Sequence, residues 1–185
     1  MRRGSLAGET WISTSMPYLR PTGGGRGDMW REEAAAHGRR GTQRVVQAGE
    51  VSAPAVVARL LGVEAGTSVV VRRRIMYLDE QPCELTDSYY PARIAAGTGL
   101  ADTAKIRGGA VALLAQLGYV GQRVREDVTA RMPDRQEHEL LRTSELEPVM
   151  CLERVVFDGD DRPIQADLIT MPAHRQRLRY ELRMG

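Results

Sequence analysis

The chain has 185 residues, 42% of them hydrophobic and 27% charged, with a formal net charge of +2. That length suffices for one domain with a proper core plus an arm. No apolar run approaches the ~20 residues of a membrane span, and the near-neutral balance argues against nucleic-acid binding by these residues alone, because that affinity rests on neutralising phosphates.

The first 28 residues read as a linker or arm. MRRGSLAGETWIS carries basic residues but no apolar core, so no secretory signal is expected. Trp11, Ile12, Met16 and Tyr18 can add an edge strand to the domain or to a partner. PTGGGRGD (21–28) is Gly-rich without apolar period and reads as flexible. Its glycines are no phosphate loop, since no Gly-Lys-Ser/Thr follows, and Arg26-Gly27-Asp28 is read as a chance tripeptide.

Two similar halves follow. Asp28 can cap a short helix, MWREEAAAH, that Gly38 ends. TQRVV (42–46) reads as a strand and SAPAVVARLLGV (52–63) as a helix. VVVRRRIMYLDEQPCELTDSYYP (69–91) reads as a hairpin. The second half repeats the order: the helix AVALLAQL (110–117) ended by Gly118, GQRVR (121–125), the helix PDRQEHELLRTS (133–144) and the hairpin VMCLERVVFDGDDRPIQADLITMP (149–172). Leu60-Leu61 and Leu140-Leu141 lie eighty residues apart, as do Val69/Val149 and Arg74/Arg154. Short turns between strand runs predict antiparallel pairing. The expectation is an α+β domain over 29–185, with about six mostly antiparallel strands, flanking helices and two pseudo-symmetric halves.

Arginines inside these strands demand partners. Alternation puts Val69, Val71, Arg73, Ile75 and Tyr77 on one face and Val70, Arg72, Arg74, Met76 and Leu78 on the other; Met150, Leu152, Arg154 and Val156 share a face. An unpaired buried guanidinium is costly. The return strands offer Asp87, Asp167, Thr86, Ser88 and Gln165, which suggests Arg74–Asp87 and Arg154–Asp167, with the register uncertain by one residue. Two readings stand side by side: cross-strand ion pairs that tie the sheet, or a cleft whose arginine grips an anionic small molecule. Gly108-Gly109, opening a helix, offers bare N–H groups to an anion or serves close packing.

Cys83 and Cys151 are far apart and lack metal-ligand spacing, and His37, His138 and His174 are scattered; neither metal nor cofactor is expected. The cysteines read as reduced, strand-buried thiols of a cytoplasmic protein. No nucleophile–base pair or catalytic motif stands out, so an enzyme is not expected.

The pattern Arg74-Ile-Met, Asp79, Gln81-Pro82 and Ser88-Tyr89-Tyr90-Pro91, with Glu126, Ala130-Arg131, Leu140, Pro148-Val149 to Arg154, Asp158-Gly159, Arg162-Pro163-Ile164-Gln165 and Arg179-Tyr180, resembles the UTRA domain over roughly residues 29–183. UTRA is the effector-binding domain of the HutC subfamily of GntR-type bacterial repressors. The resemblance implies a chorismate-lyase-like fold and a small-molecule sensor that forms a homodimer. It implies DNA contact only through a preceding winged helix-turn-helix, which needs ~60–70 residues and which residues 1–28 cannot supply. The chain is then a fragment of a repressor or a stand-alone sensor that modulates partners; a chorismate-lyase-like enzyme is the third alternative.

Members that bind sugar phosphates hold the anion with an Arg-x-Arg. Here Arg74 keeps the first position and Met76 takes the second, while Thr86 stands where a Glu is usual and Gly109 where a Ser is usual. The resemblance therefore implies a larger or more apolar effector, with one anionic group facing Arg74. Glu126, Arg131, Arg154, Asp167 and Tyr180 are the other ligand-binding candidates, with Glu126 and Arg131 pairing with each other or with Arg154.

Overall fold

A computed structural model describes residues 10–13, 29–144 and 146–181. Met16, Tyr18, the Gly-rich 21–28 run and the Asp28 cap lie outside the described residues.

The main sheet is six-stranded and wholly antiparallel, in the order β2-β3-β4-β7-β6-β5. β2 is Gly41–Ser52, β3 Ser68–Leu78, β4 Gln81–Pro91, β5 Arg123–Arg131, β6 Val149–Phe157 and β7 Pro163–Pro172. Each half contributes three adjacent strands, and the two return strands, β4 and β7, meet at the centre. Between them Asp87 faces Leu168 and Ser88 faces Asp167. A pseudo-two-fold axis runs through the sheet at the Asp87–Leu168 pair, so the expected two-half α+β architecture is what the chain adopts.

The helices obey the same symmetry. α2 (Ala55–Leu61) lies against β7, and α5 (Arg135–Leu141) lies against β4, both on one face. That face's core joins Val57, Leu60 and Leu61 to Val69, Val71, Tyr89, Val155, Phe157 and Ala166. α1 (Met29–Ala36) and α4 (Gly109–Gln116) cover opposite ends of the other face. Trp30 and Ala34 of α1 pack with Met76, Leu78 and Cys83. Leu114 of α4 packs with Val70, Tyr90, Ile94, Leu100 and Val156.

Local chemistry explains the boundaries. α2 is shorter than its apolar pattern because β2 runs on to Ser52, Pro54 is its N-cap, and Gly62 closes it at φ 66°. α5 starts at a capping box in which the Asp134 carboxylate accepts from Glu137 N–H, while Glu137 accepts from Asp134 N–H. Gly41 admits α1: a Cβ there would stand 2.7 Å from the Trp30 carbonyl and 2.8 Å from Ala34 Cβ.

Other elements departed from expectation. β2 and β5 run well past the short stretches the pattern suggested, because edge strands carry polar residues that blur alternation. After β4 come a short helix, α3 (Ala92–Ala95), and a 3-10 turn, Gly99–Ala101. Two short strands, β1 (Trp11–Ser13) and β8 (Gln176–Leu178), form a separate parallel pair. The expected edge strand at Trp11 is real, but it joins the chain's own C-terminal segment rather than the main sheet. Trp11 is buried edge-on against Trp30, with ring centroids 5.2 Å apart.

Candidate functional site

Between α1 and α4 the second face of the sheet is polar. Reading across the strands from β3 to β5, alternation and register place Arg74, Thr86 and Ser88, Asp167, Arg154 and Glu126 on this one face. Thr86, Ser88, Asp167 and Arg154 are all buried. A polar row this deep persists only if its members satisfy one another or a ligand.

Arg154 is satisfied. Its Nε donates to Glu126 Oε1 at 2.5 Å, and its Nη1 lies 3.8 Å from Asp167 Oδ2. Gln165 Nε2 donates to both oxygens of Asp167 at 2.8 and 2.9 Å. The Arg154–Asp167 pairing expected from sequence is therefore present, and Glu126 joins it from β5.

Arg74 is the counterpart of Arg154 about the pseudo-two-fold axis, and its surroundings differ. Opposite Arg154 stand Asp167 and Glu126; opposite Arg74 stand Thr86 and Val45. Both flanking carboxylates are replaced. Arg74 Nη2 donates to Ser88 Oγ at 3.1 Å, and its Nε is buried without a hydrogen-bond partner among the described residues. No carboxylate lies within ion-pair distance of it among the described residues. The expected Arg74–Asp87 pair is thus corrected: Asp87 points to the other face and pairs with Arg73, 2.9 Å from Arg73 Nε. The cause is register. A two-residue turn at Asp79 and Glu80, both at positive φ, closes the first hairpin between Leu78 and Gln81, whereas the second closes between Phe157 and Pro163. The difference displaces one return strand by one residue, which moves an aspartate across the sheet.

Sequence reasoning missed Glu84, which stands opposite Met76 and diagonal to Arg74 on the same face. Thr86 Oγ1 donates to its carboxylate. Burial raises the Glu84 pKa, opposed by the Thr86 hydroxyl and the charges of Arg74 and Arg154. Alternation within β4 was the signal available. Tyr90, farther along this face, is pushed up to about 12, chiefly by burial and then by Asp167. Arg72 spans to the loop before α4, donating to the carbonyls of Asp102 and, at 2.8 Å, Ala104.

The remaining candidates are scattered. Met76 is buried in the apolar cluster beneath α1. Gly109 opens α4 at φ 83°, with open space where a Cβ would stand. Tyr180 is 54% exposed and borders an open cavity of about 510 Å³ with Val128, Met150 and Leu178. Arg131 does not reach the row: it points to the opposite face and grips Glu137 with two hydrogen bonds of 2.6 Å. Cys83 is buried and Cys151 half-buried, both as free thiols. Among the described residues no cluster of His, Cys, Asp or Glu could hold a metal ion, and no helix is long and apolar enough to cross a membrane.

Comparison with known proteins gives this arrangement a context. The family model of the UTRA domain matches residues 36–177. The HTH-type transcriptional regulator GgaR of Escherichia coli K12 is 32% identical over 120 residues, covering 62% of this chain and 44% of GgaR. The HTH-type transcriptional repressor PhnF of Mycolicibacterium smegmatis is 27% identical over 158 residues, covering 85% of this chain and 63% of PhnF. The crystal structure of the effector domain of PhnF from Mycobacterium smegmatis superposes with a TM-score of 0.71 at 25% identity, over 89% of this chain and 99% of that one. The chain spans less than half the length of GgaR.

Proposed function

The chain belongs to the UTRA domain family, and on that premise we propose that it is the effector-binding domain of a HutC-subfamily GntR-type transcriptional regulator, sensing a small molecule through the polar row on its helix-flanked face. The observation that carries this reading is Arg74. Its pseudo-symmetric counterpart Arg154 is neutralised by two carboxylates, while among the described residues Arg74 keeps a buried Nε without partner and a single hydroxyl contact. A guanidinium held so is prepared to bind a carboxylate or phosphoryl group, and a desolvated site strengthens that contact.

Thr86 and Ser88 border Arg74, Met76 supplies an apolar wall, and the helix opened by Gly109 flanks the far end of the face. Arg154, Asp167 and Glu126, tied to one another, complete the other side of the row. The chain acts as a homodimer, and DNA is met through a winged helix-turn-helix elsewhere in the regulator. Effector binding then favours one arrangement of the dimer by its differential affinity for the two states.

Thermal shifts of the chain against a panel of carboxylates, phosphosugars and apolar acids, run beside Arg74→Met, test the reading. A ligand ~100-fold above its dissociation constant adds ~2.7 kcal/mol of apparent stability. A hit lost in a folded Arg74→Met supports the site. Hits that survive in Arg74→Met place the effector elsewhere.

A further inference from the structure

Arg74 and Glu84 are opposite charges on neighbouring strands of one face, and neither is spent on an ion pair. They are diagonal neighbours, Arg74 opposite Thr86 and Met76 opposite Glu84. Such positions lie about 7 Å apart at Cβ, well within reach of two long side chains. Yet among the described residues no salt bridge joins them, and no other cation lies within ion-pair distance of Glu84. Each instead takes a hydroxyl: Arg74 that of Ser88, Glu84 that of Thr86.

A half-buried carboxylate without a cation is costly unless a partner arrives. Burial already holds Glu84 above the usual carboxylate range. Glu33, reaching in from α1, has its pKa raised chiefly by burial, with His37 opposing the shift and Glu84 adding to it. Two carboxylates, Glu84 and Glu33, thus approach one another beneath α1, while Arg74 beside them makes no ion pair among the described residues. An anion alone satisfies Arg74 and leaves Glu84 more strongly disfavoured as a carboxylate. A molecule bearing both charges on a short spacer satisfies both.

We propose that Glu84 sets the chemical class of the effector: a small zwitterion whose carboxylate or phosphoryl group binds Arg74 and whose ammonium group binds Glu84. This rests on the effector-binding reading of Arg74 given above, and it adds a second determinant to it. The ammonium donates to the Glu84 carboxylate, which the Thr86 hydroxyl orients. Met76, opposite Glu84 on β3, is the apolar neighbour of the spacer.

The test is calorimetric titration of the full chain with two matched pairs of probes: butyrate against 4-aminobutyrate, and propylphosphonate against 3-aminopropylphosphonate. Each amino probe should bind about tenfold or more tightly than its partner, the scale of one charge-assisted contact. Glu84→Gln should erase that preference without weakening the plain anions, whereas Arg74→Met should weaken all probes. Parity within the pairs in the unaltered chain overturns the proposal without any variant. So does a preference that survives Glu84→Gln, or failure of both amino probes at millimolar concentration. Binding of the plain anions that depends on Arg74 leaves the effector-binding reading standing in each case; binding that ignores Arg74→Met removes both.

Discussion

Arg154 Nε donates to Glu126 Oε1 across 2.5 Å, with the two side chains only 10% and 8% exposed. The pair bridges β6 to the edge strand β5 and, with Asp167, extends to β7. Removing the arginine takes the cation away from two buried carboxylates, of which Asp167 keeps the Gln165 amide. Arg154→Met should cost about 3–5 kcal/mol in urea denaturation, the range for breaking a buried pair on one side. Arg74→Met, which breaks no ion pair among the described residues, should stay within ~1 kcal/mol of the parent. Similar losses for the two variants would remove the distinction between a structural and a ligand-facing arginine.

Gly41 lies where α1 crosses the start of β2. Gly41→Ala puts a methyl group 2.7 Å from the Trp30 carbonyl, which cannot yield without moving the helix. We expect a loss of about 1–3 kcal/mol, as for overpacked sites. Trp30 Nε1 donates to the Tyr77 carbonyl at 3.0 Å, so displacement of α1 should also alter tryptophan fluorescence.

The Asp79-Glu80 turn places two non-glycine residues at φ 50° and 69°. Asp79 is supported there, since its carboxylate accepts from Arg40 N–H at 2.8 Å and from Arg39 Nε at 2.6 Å. Among the described residues Glu80 has only an exposed 3.5 Å contact with Arg40. Glu80→Gly should raise stability by about 1 kcal/mol, because Asp-Gly suits this turn and relieves the left-handed backbone. A lower melting temperature would contradict it.

Burial lifts the Glu33 pKa from 4.5 to about 7, with His37 opposing and Glu84 reinforcing the shift. The folded state then binds more protons than the unfolded one, so this contribution is full below pH 4.5 and is lost as pH rises through about 7. Glu84 shifts in the same direction. Glu137, Asp79 and Asp158 shift downward and act at lower pH, as stability lost on acidification. Glu33 is half-buried, so its effect should be on the order of 1 kcal/mol after solvent screening. Denaturation profiles should decline over that window, and Glu33→Gln should flatten the decline.

Much of this protein is local and was therefore legible along the chain. Alternating side chains marked the two hairpins, and apolar periods closed by Gly38 and Gly118 marked α1 and α4. The eighty-residue echo of Arg74 in Arg154 announced two halves. The face each strand residue takes follows from alternation alone, which is why Arg74 and Arg154 could be singled out. Register between strands is not local. It depends on turn geometry, and one residue of difference between the hairpins sent Asp87 to Arg73 and left Arg74 without a carboxylate. Only the folded sheet brought Glu84 diagonal to Arg74, turned Arg131 away to Glu137, and set Thr86 and Val45 where the other half has Asp167 and Glu126. The residue types and their periods determined the elements; the meeting of distant strands decided which charges are neutralised and which are not.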